Sequence, residues 1–220
     1  MSSSDLHKLS YWENIYTNEK ENYEESNVEL EEWFEQNCDK IINYIDKKYM
    51  NNKNITILDI GCGNGLFLHK LYKKGFTNLY GFDFSNTAIK LAKQFFQCNK
   101  QKDIYVQVLD IYDIEKEIST NTKLMKQYDL INDKGTFDIF FMNNKQQDYF
   151  YQISFFLKTN TIFYITTCNA CKEELLEIVK TFNKNSKKNK LSFIDEILHE
   201  TITFGGKVGQ IITTLIFKCY

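Results

Sequence analysis

Three aspartates close three short apolar runs: Asp59 in residues 55–60, Asp83 in 79–84 and Asp110 in 104–110. The first run passes into Gly61-Cys62-Gly63-Asn64-Gly65, and a helical pattern starts at Leu66. Runs this short, apolar and rich in β-branched residues suit buried parallel strands. In an open parallel sheet the carboxyl ends of the strands line a crevice where ligands bind. Carboxylates on that edge suit a nucleoside: Asp83 for two ribose hydroxyls, Asp110 for an adenine amine with Ile111 against the ring. Asp59 is placed to orient the loop or to reach a ligand amine through water. The glycines permit a tight turn and close approach of the backbone. Their order, G-x-G-x-G, departs from the G-x-G-x-x-G that cradles a pyrophosphate at a helix N-terminus. A plainer reading is a tight turn and three unrelated strand caps, and the recurrence of an acid at three successive strand ends counts against it.

The elements that must position these groups follow the same alternation. Residues 66–73 read as a helix closing at Gly75, a suitable C-cap. Ser85 is an N-cap for a helix over 86–97. After a polar connection over 112–127, residues 128–132 form a fourth strand and Asp133-Lys134-Gly135-Thr136-Phe137-Asp138 a turn. A helix is expected at 146–158, a fifth strand at 160–167, a helix at 172–182, and a Lys/Asn-rich loop at 183–190. Two C-terminal strands, about 193–203 and 210–218, are joined through Gly205-Gly206 and Gly209 into a closing hairpin. Ahead of the sheet, residues 1–10 read as a disordered polar tail and Tyr11, Trp12 and Tyr16 as an aromatic flap. An acidic run over 19–35 follows, and an apolar stripe of helical period spans about 28–49. The 220 residues are read as one domain, with 1–26 a flap and 27–50 an N-terminal helix.

Composition narrows the classes. The net charge of -2 gives no global pull toward nucleic acid or a membrane. All 27 basic residues are lysine and proline is absent, so no arginine fork is available to grip a phosphate. Six cysteines include one C-x-x-C, Cys168 and Cys171, with no second pair or His cluster, so reduced thiols are expected and no metal site. No signal peptide opens the chain and no apolar run approaches a membrane span, so a cytoplasmic protein is expected.

The loop Leu58-Asp59-Ile60-Gly61-Cys62-Gly63-Asn64-Gly65 resembles the first motif of the seven-strand S-adenosylmethionine (AdoMet) methyltransferases. Further stretches resemble one branch of that class, the elongation factor 1-alpha lysine methyltransferases. Tyr11-Trp12 with Tyr16 is similar to its Y-W-x-x-x-Y segment, and Trp33-Phe34 to its W-F pair. Phe82-Asp83-Phe84-Ser85 with Ala88-Ile89 resembles its second-strand motif. Asp133-Lys134-Gly135-Thr136-Phe137-Asp138 is similar to its D-K-G-T-[FL]-D turn, its most diagnostic piece. Thr167-Cys168-Asn169 with 172–175, and Phe204-Gly205-Gly206-Lys207-Val208-Gly209, match two more stretches. The chain lacks the family's glycine-rich stretch before Trp33, and its connection after Met142 is shorter.

The resemblance implies a Rossmann-like α/β fold. Its sheet has seven strands, mostly parallel with an antiparallel C-terminal strand, and helices on both faces. It implies AdoMet as cofactor, S-adenosylhomocysteine as product and the elongation factor as protein partner, with a monomeric enzyme expected. The cofactor-binding set is then Asp59, Gly61, Cys62, Gly63, Asn64, Gly65, Asp83, Phe84, Asp110, Ile111 and Asn132. A lysine nucleophile must lose its proton before it attacks, its ordinary pKa being about 10.4. Asp133 is the candidate catalytic residue; it acts as a base, binds the incoming cation, or caps the turn. Tyr11, Trp12, Trp33 and Phe137 are candidate substrate-binding aromatics, able to face a methylated cation or to serve as core. Alternatives are an AdoMet-dependent methyltransferase of another substrate and a non-catalytic AdoMet-fold binding module. A nicotinamide dehydrogenase is disfavoured by the loop spacing and the closing hairpin.

Overall fold

The computed structural model describes residues 6–26, 28–118, 120, 123, 124, 126–204 and 207–220. Its strands form a seven-stranded sheet in the order β3-β2-β1-β4-β5-β9-β6 and a separate two-stranded sheet, β7-β8. The chain divides into two compact units, Met1–Asp113 and Ile114–Tyr220.

The first unit contains α1 (Leu9–Ser26), α2 (Glu35–Lys48), β1 (Ile57–Ile60), α3 (Leu66–Lys73), β2 (Leu79–Asp83), α4 (Asn86–Cys98) and β3 (Tyr105–Val108). Its strands are parallel, with Asp59 opposite Gly81 and Asp83 opposite Val108. Ile57, Leu58, Ile60 and Leu79 are fully buried, as expected of strands covered on both faces. The helix ends follow the sequence signals. Ser85 Oγ accepts from Ala88 N at 3.0 Å, and Gly75, at φ 90°, donates its N–H to Tyr72 O.

Three expectations for this unit are corrected. The tail and flap are helical from Leu9, and the first half of the acidic run, through Glu25, lies on α1. The next helix starts at Glu35 instead of 28, because Phe34 takes the left-handed conformation (φ 62°) and Trp33 packs edge-on against Trp12 at 5.8 Å. That aromatic contact holds 28–34 out of helical geometry despite their apolar period. The third strand ends at Val108, so Asp110 lies in the turn beyond it.

The second unit contains α5 (Ile114–Glu117), β4 (Leu130–Lys134), α6 (Thr136–Met142), α7 (Gln146–Ile153), β5 (Ile162–Thr167), α8 (Lys172–Asn185), β6 (Leu191–Ile197), β7 (Thr201–Phe204), β8 (Lys207–Gln210) and β9 (Thr213–Cys219). β4 and β5 are parallel, and β9 runs antiparallel to both β5 and β6. The antiparallel closure is as expected, but its first strand divides. β6 pairs with β9, while β7 pairs with β8 in the separate two-stranded antiparallel sheet. The pivot Gly205-Gly206 lies outside the described residues. α6 is unforeseen, since its seven residues are almost all apolar and carry no helical period. α8 runs to Asn185, into the expected loop.

Candidate active site

At the end of β1, Gly61, Gly63 and Gly65 all take positive φ (63°, 52° and 80°), which lets the chain turn from strand into α3. Two of them are also required by their neighbours. A Cβ on Gly63 would lie 2.4 Å from the Tyr16 hydroxyl, and one on Gly65 would lie 2.4 Å from the Phe96 ring. Asn64 holds the loop's outer side. Its Nδ2 donates to Glu19 Oε1 and to Glu31 O, both at 2.8 Å, and its Oδ1 accepts from Leu66 N at 3.0 Å.

Asp83 is buried beside this loop. Its Oδ2 accepts from Gly63 N at 3.0 Å and its Oδ1 from Ser85 N at 2.9 Å. Burial is the larger influence and pushes its carboxyl up to about 6, with the backbone donors opposing. Asp59 and Cys62 are buried in the same cluster, and burial followed by the charges of Asp83 and Asp59 pushes the Cys62 thiol up. Asp83 O accepts from Leu109 N at 3.0 Å, which draws the Asp110 turn alongside. Asp110 Oδ1 accepts from Tyr112 N at 2.9 Å, Ile111 is buried, and Phe84 is half-buried.

α1 lies over these parts although none of its residues is fully buried. Glu13 accepts from Asn86 N at 2.7 Å and from the Thr87 hydroxyl, so it caps the first turn of α4. Tyr16 covers Gly63, and burial, then the Asp83 and Glu19 charges, hold its phenol well above the usual range. Glu19 bonds Asn64 and the Glu31 N–H. Trp12 packs edge-on with Tyr11 and Trp33 and stacks on Tyr16, with Trp33 left 49% exposed. Glu13, Tyr16, Glu19 and Gly81 are absent from the candidate site residues above, Tyr16 figuring there only as part of the aromatic flap. The spacing of the first three, on one helix face, becomes a signal once 9–26 is known to be helical. Gly81 is demanded by packing alone: a Cβ there would lie 2.9 Å from Cys62 Cβ and Sγ.

In the second unit the turn 133–138 carries two buried acids. Asp133 is fully buried; its Oδ1 accepts from Thr136 N at 3.0 Å and Phe137 N at 3.1 Å, and its Oδ2 from the Tyr149 hydroxyl at 2.6 Å. Of the three roles left open for Asp133, these bonds favour the turn cap. Asp138 accepts from the Thr167 hydroxyl and from Cys168 N at 3.1 Å, tying α6 to the end of β5. Burial and the Asp138 charge push the Cys168 thiol up to about 12, so that half of the C-x-x-C is a poor nucleophile. Asn132 is fully buried on β4. Phe137 is fully buried too, with Tyr149 at 5.3 Å and Phe150 at 5.9 Å, so it serves as core rather than as a substrate-facing aromatic.

A methyltransferase-domain family model matches residues 51–214. EEF1A lysine methyltransferase 2 of Danio rerio is 33% identical over 98% of this chain and 88% of its own length. The chain belongs to the EEF1A lysine methyltransferase family. Its fungal relatives include protein-lysine N-methyltransferase EFM4 of Saccharomyces cerevisiae, 29% identical over 99% of this chain and 96% of that protein. The fold is that of solved methyltransferases. Magnesium protoporphyrin IX methyltransferase from Synechocystis, with bound SAM, aligns at TM-score 0.62 and 11% identity over 92% of this chain and 96% of that one.

This family member is an AdoMet-dependent methyltransferase, and the chemistry of its loop agrees. The Gly63 N–H, which a pyrophosphate would claim in a dinucleotide site, is donated to the Asp83 carboxylate. Buried acids at that point repel phosphate and suit a cationic sulfonium nucleoside.

Proposed function

We propose that this enzyme methylates lysine side chains of translation elongation factor 1-alpha in the cytoplasm, working as a monomeric single domain. The observation that carries the reading is the near-full-length similarity to curated EEF1A lysine methyltransferases, 30–33% identical in the three vertebrate proteins. The family match from 51 to 214 crosses both compact units, in support of one methyltransferase domain. Among the described residues no helix is long and apolar enough to cross a membrane.

Asp83 would hold the ribose hydroxyls, and the loop 61–65 with Asp59 the amino-acid end of the cofactor. Phe84, Ile111 and Asp110 would flank the adenine. Bound there, AdoMet supplies an electrophilic methyl on a sulfonium, which an amine displaces in line. This chain must then orient a lysine whose amine has lost its proton. Tyr11, Trp12 and Trp33, clustered on and beside α1, offer ring faces to the substrate. The exposed Glu21, Glu24 and Glu25 on the same helix suit a basic partner.

Purified enzyme, elongation factor 1-alpha and methyl-labelled AdoMet test the reading, with labelled sites located by mass spectrometry. Label on a lysine of the factor is expected. AdoMet binding without incorporation would favour a methyltransferase acting on some other substrate.

A further inference from the structure

We propose that Tyr149 is a positioning residue for methyl transfer, its hydroxyl fixing Asp133 and through it the β4–α6 turn that the target lysine meets. The inference rests on the proposed lysine methylation and on the candidacy of Asp133 as the residue that serves the target lysine.

Asp133 and Tyr149 are both fully buried, 16 positions apart in sequence and 2.6 Å apart at their polar atoms. The other carboxylate oxygen takes the N–H groups of Thr136 and Phe137, the first residues of α6. The turn between is tight: Gly135 sits at φ 91° and its N–H donates to Thr166 O at 2.9 Å. One oxygen of Asp133 therefore sets the start of α6, and the other is set by α7. Tyr149 has little freedom to move. Phe137, Phe140 and Phe150 each lie 5.3 Å from its ring. Burial, then the Asp133 charge, hold its phenol well above the usual range, so it stays a donor at every working pH. A phenylalanine would fill the same volume and delete only the hydroxyl.

The test compares Tyr149→Phe, Asp133→Asn, the double variant and a packing control, Phe182→Leu. Phe182 stacks on Phe150 at 5.4 Å. Melting temperature, AdoMet affinity, and kcat and KM for the elongation factor are measured for each. Tyr149→Phe should lower kcat about tenfold with both binding constants within about twofold, as expected when a donor to a buried charge is lost. Phe182→Leu should lose stability and keep the parental kcat. The double variant should be no slower than Asp133→Asn alone, since the hydroxyl acts through that carboxylate. The inference is overturned if Tyr149→Phe keeps the parental kcat, or loses only what Phe182→Leu loses. If Asp133→Asn turns over at the parental rate, the assignment of the turn to the target lysine has failed. If Asp133→Asn is slow and Tyr149→Phe is not, the role of Tyr149 alone has failed.

Discussion

At the end of β2, Asp83 gives one oxygen to the Gly63 N–H and the other to the Ser85 N–H, and burial outweighs both donors. At the end of β4, Asp133 accepts two N–H groups from the helix that follows it and a phenol from α7. Each acid closes a buried parallel strand and each heads a turn into a helix. The difference lies in where the donors come from. Asp133 draws them from its own turn and from a neighbouring helix, and so organises the protein. Asp83 draws them from a glycine loop and its own turn and is left uncomfortable as an ion, which suits the proposed role of accepting from a ligand's hydroxyls. An acid at a strand end is thus a site or a brace according to its partners.

The largest effect expected from this contrast is at the brace. Asp133→Ala strips an acceptor from three donors, the half-buried Thr136 N and the buried Phe137 N and Tyr149 hydroxyl. At about 1 kcal/mol or more for each orphaned donor, the loss is about 3 kcal/mol or more. The melting temperature should fall by roughly 6–12 °C for a chain of this size, measured by circular dichroism. A shift under about 2 °C would erase the distinction between the two acids.

Removing residues 1–26 tests what covers Asp83. α1 contributes no fully buried side chain, so the remainder should stay folded by the same measurement. It does supply the Glu13 cap, the Tyr16 cover and the Glu19 tie to the loop. Methyl transfer should fall on the order of a hundredfold, as positioning losses of that kind do. Full activity in the truncated protein would reduce α1 to packing.

Asp83→Ala should weaken AdoMet at least about tenfold by calorimetry, since charge-assisted bonds are worth about 1.5–3 kcal/mol each. Its melting temperature should move far less than that of Asp133→Ala, because removing a costly buried carboxylate offsets the two N–H groups left unpaired. Equal losses of stability in the two variants would make both acids braces.

The smallest effect is on pH. The folded-state pKa of Asp83 is raised from 3.8 to about 6. Its contribution to stability is therefore complete below about pH 4 and is lost as pH rises through about 6. Ligand binding runs the other way, since the ionised carboxylate is the better acceptor. AdoMet affinity should rise severalfold between about pH 5 and 7.5 in the parent and stay flat in Asp83→Asn. A parallel rise in both proteins would assign the dependence to another group.

Much of the first unit was legible because its signals are local. β-branched runs, glycines at alternate positions and a serine before an apolar period act over a few residues, so strand, turn and cap were read at β1, β2 and α4. The strand-end acids Asp59 and Asp83 followed from the same pattern. Beyond this the sequence offered types without partners. Residues 28–34 carry a helical period, yet Trp33 meets Trp12 across 21 positions and the chain leaves the helix there. The run over 193–203 reads as a single strand, but its first part, on β6, pairs with β9 and its last part, on β7, with β8.

The sequence by itself determined the sheet's alternation, the loop, the acids at the strand ends and the family. Tertiary structure alone decided what each acid does. Asp133 is a brace because Tyr149, on another helix, points a hydroxyl at it. Gly63 takes φ 52° with the Tyr16 hydroxyl 2.4 Å from where a side chain would begin, and at Gly81 that place is held by Cys62. Phe137, an aromatic in a diagnostic turn, is core because other rings surround it. Propensity and spacing act along the chain, whereas desolvation, hydrogen-bond satisfaction and close packing depend on which distant groups the fold brings within a few ångströms.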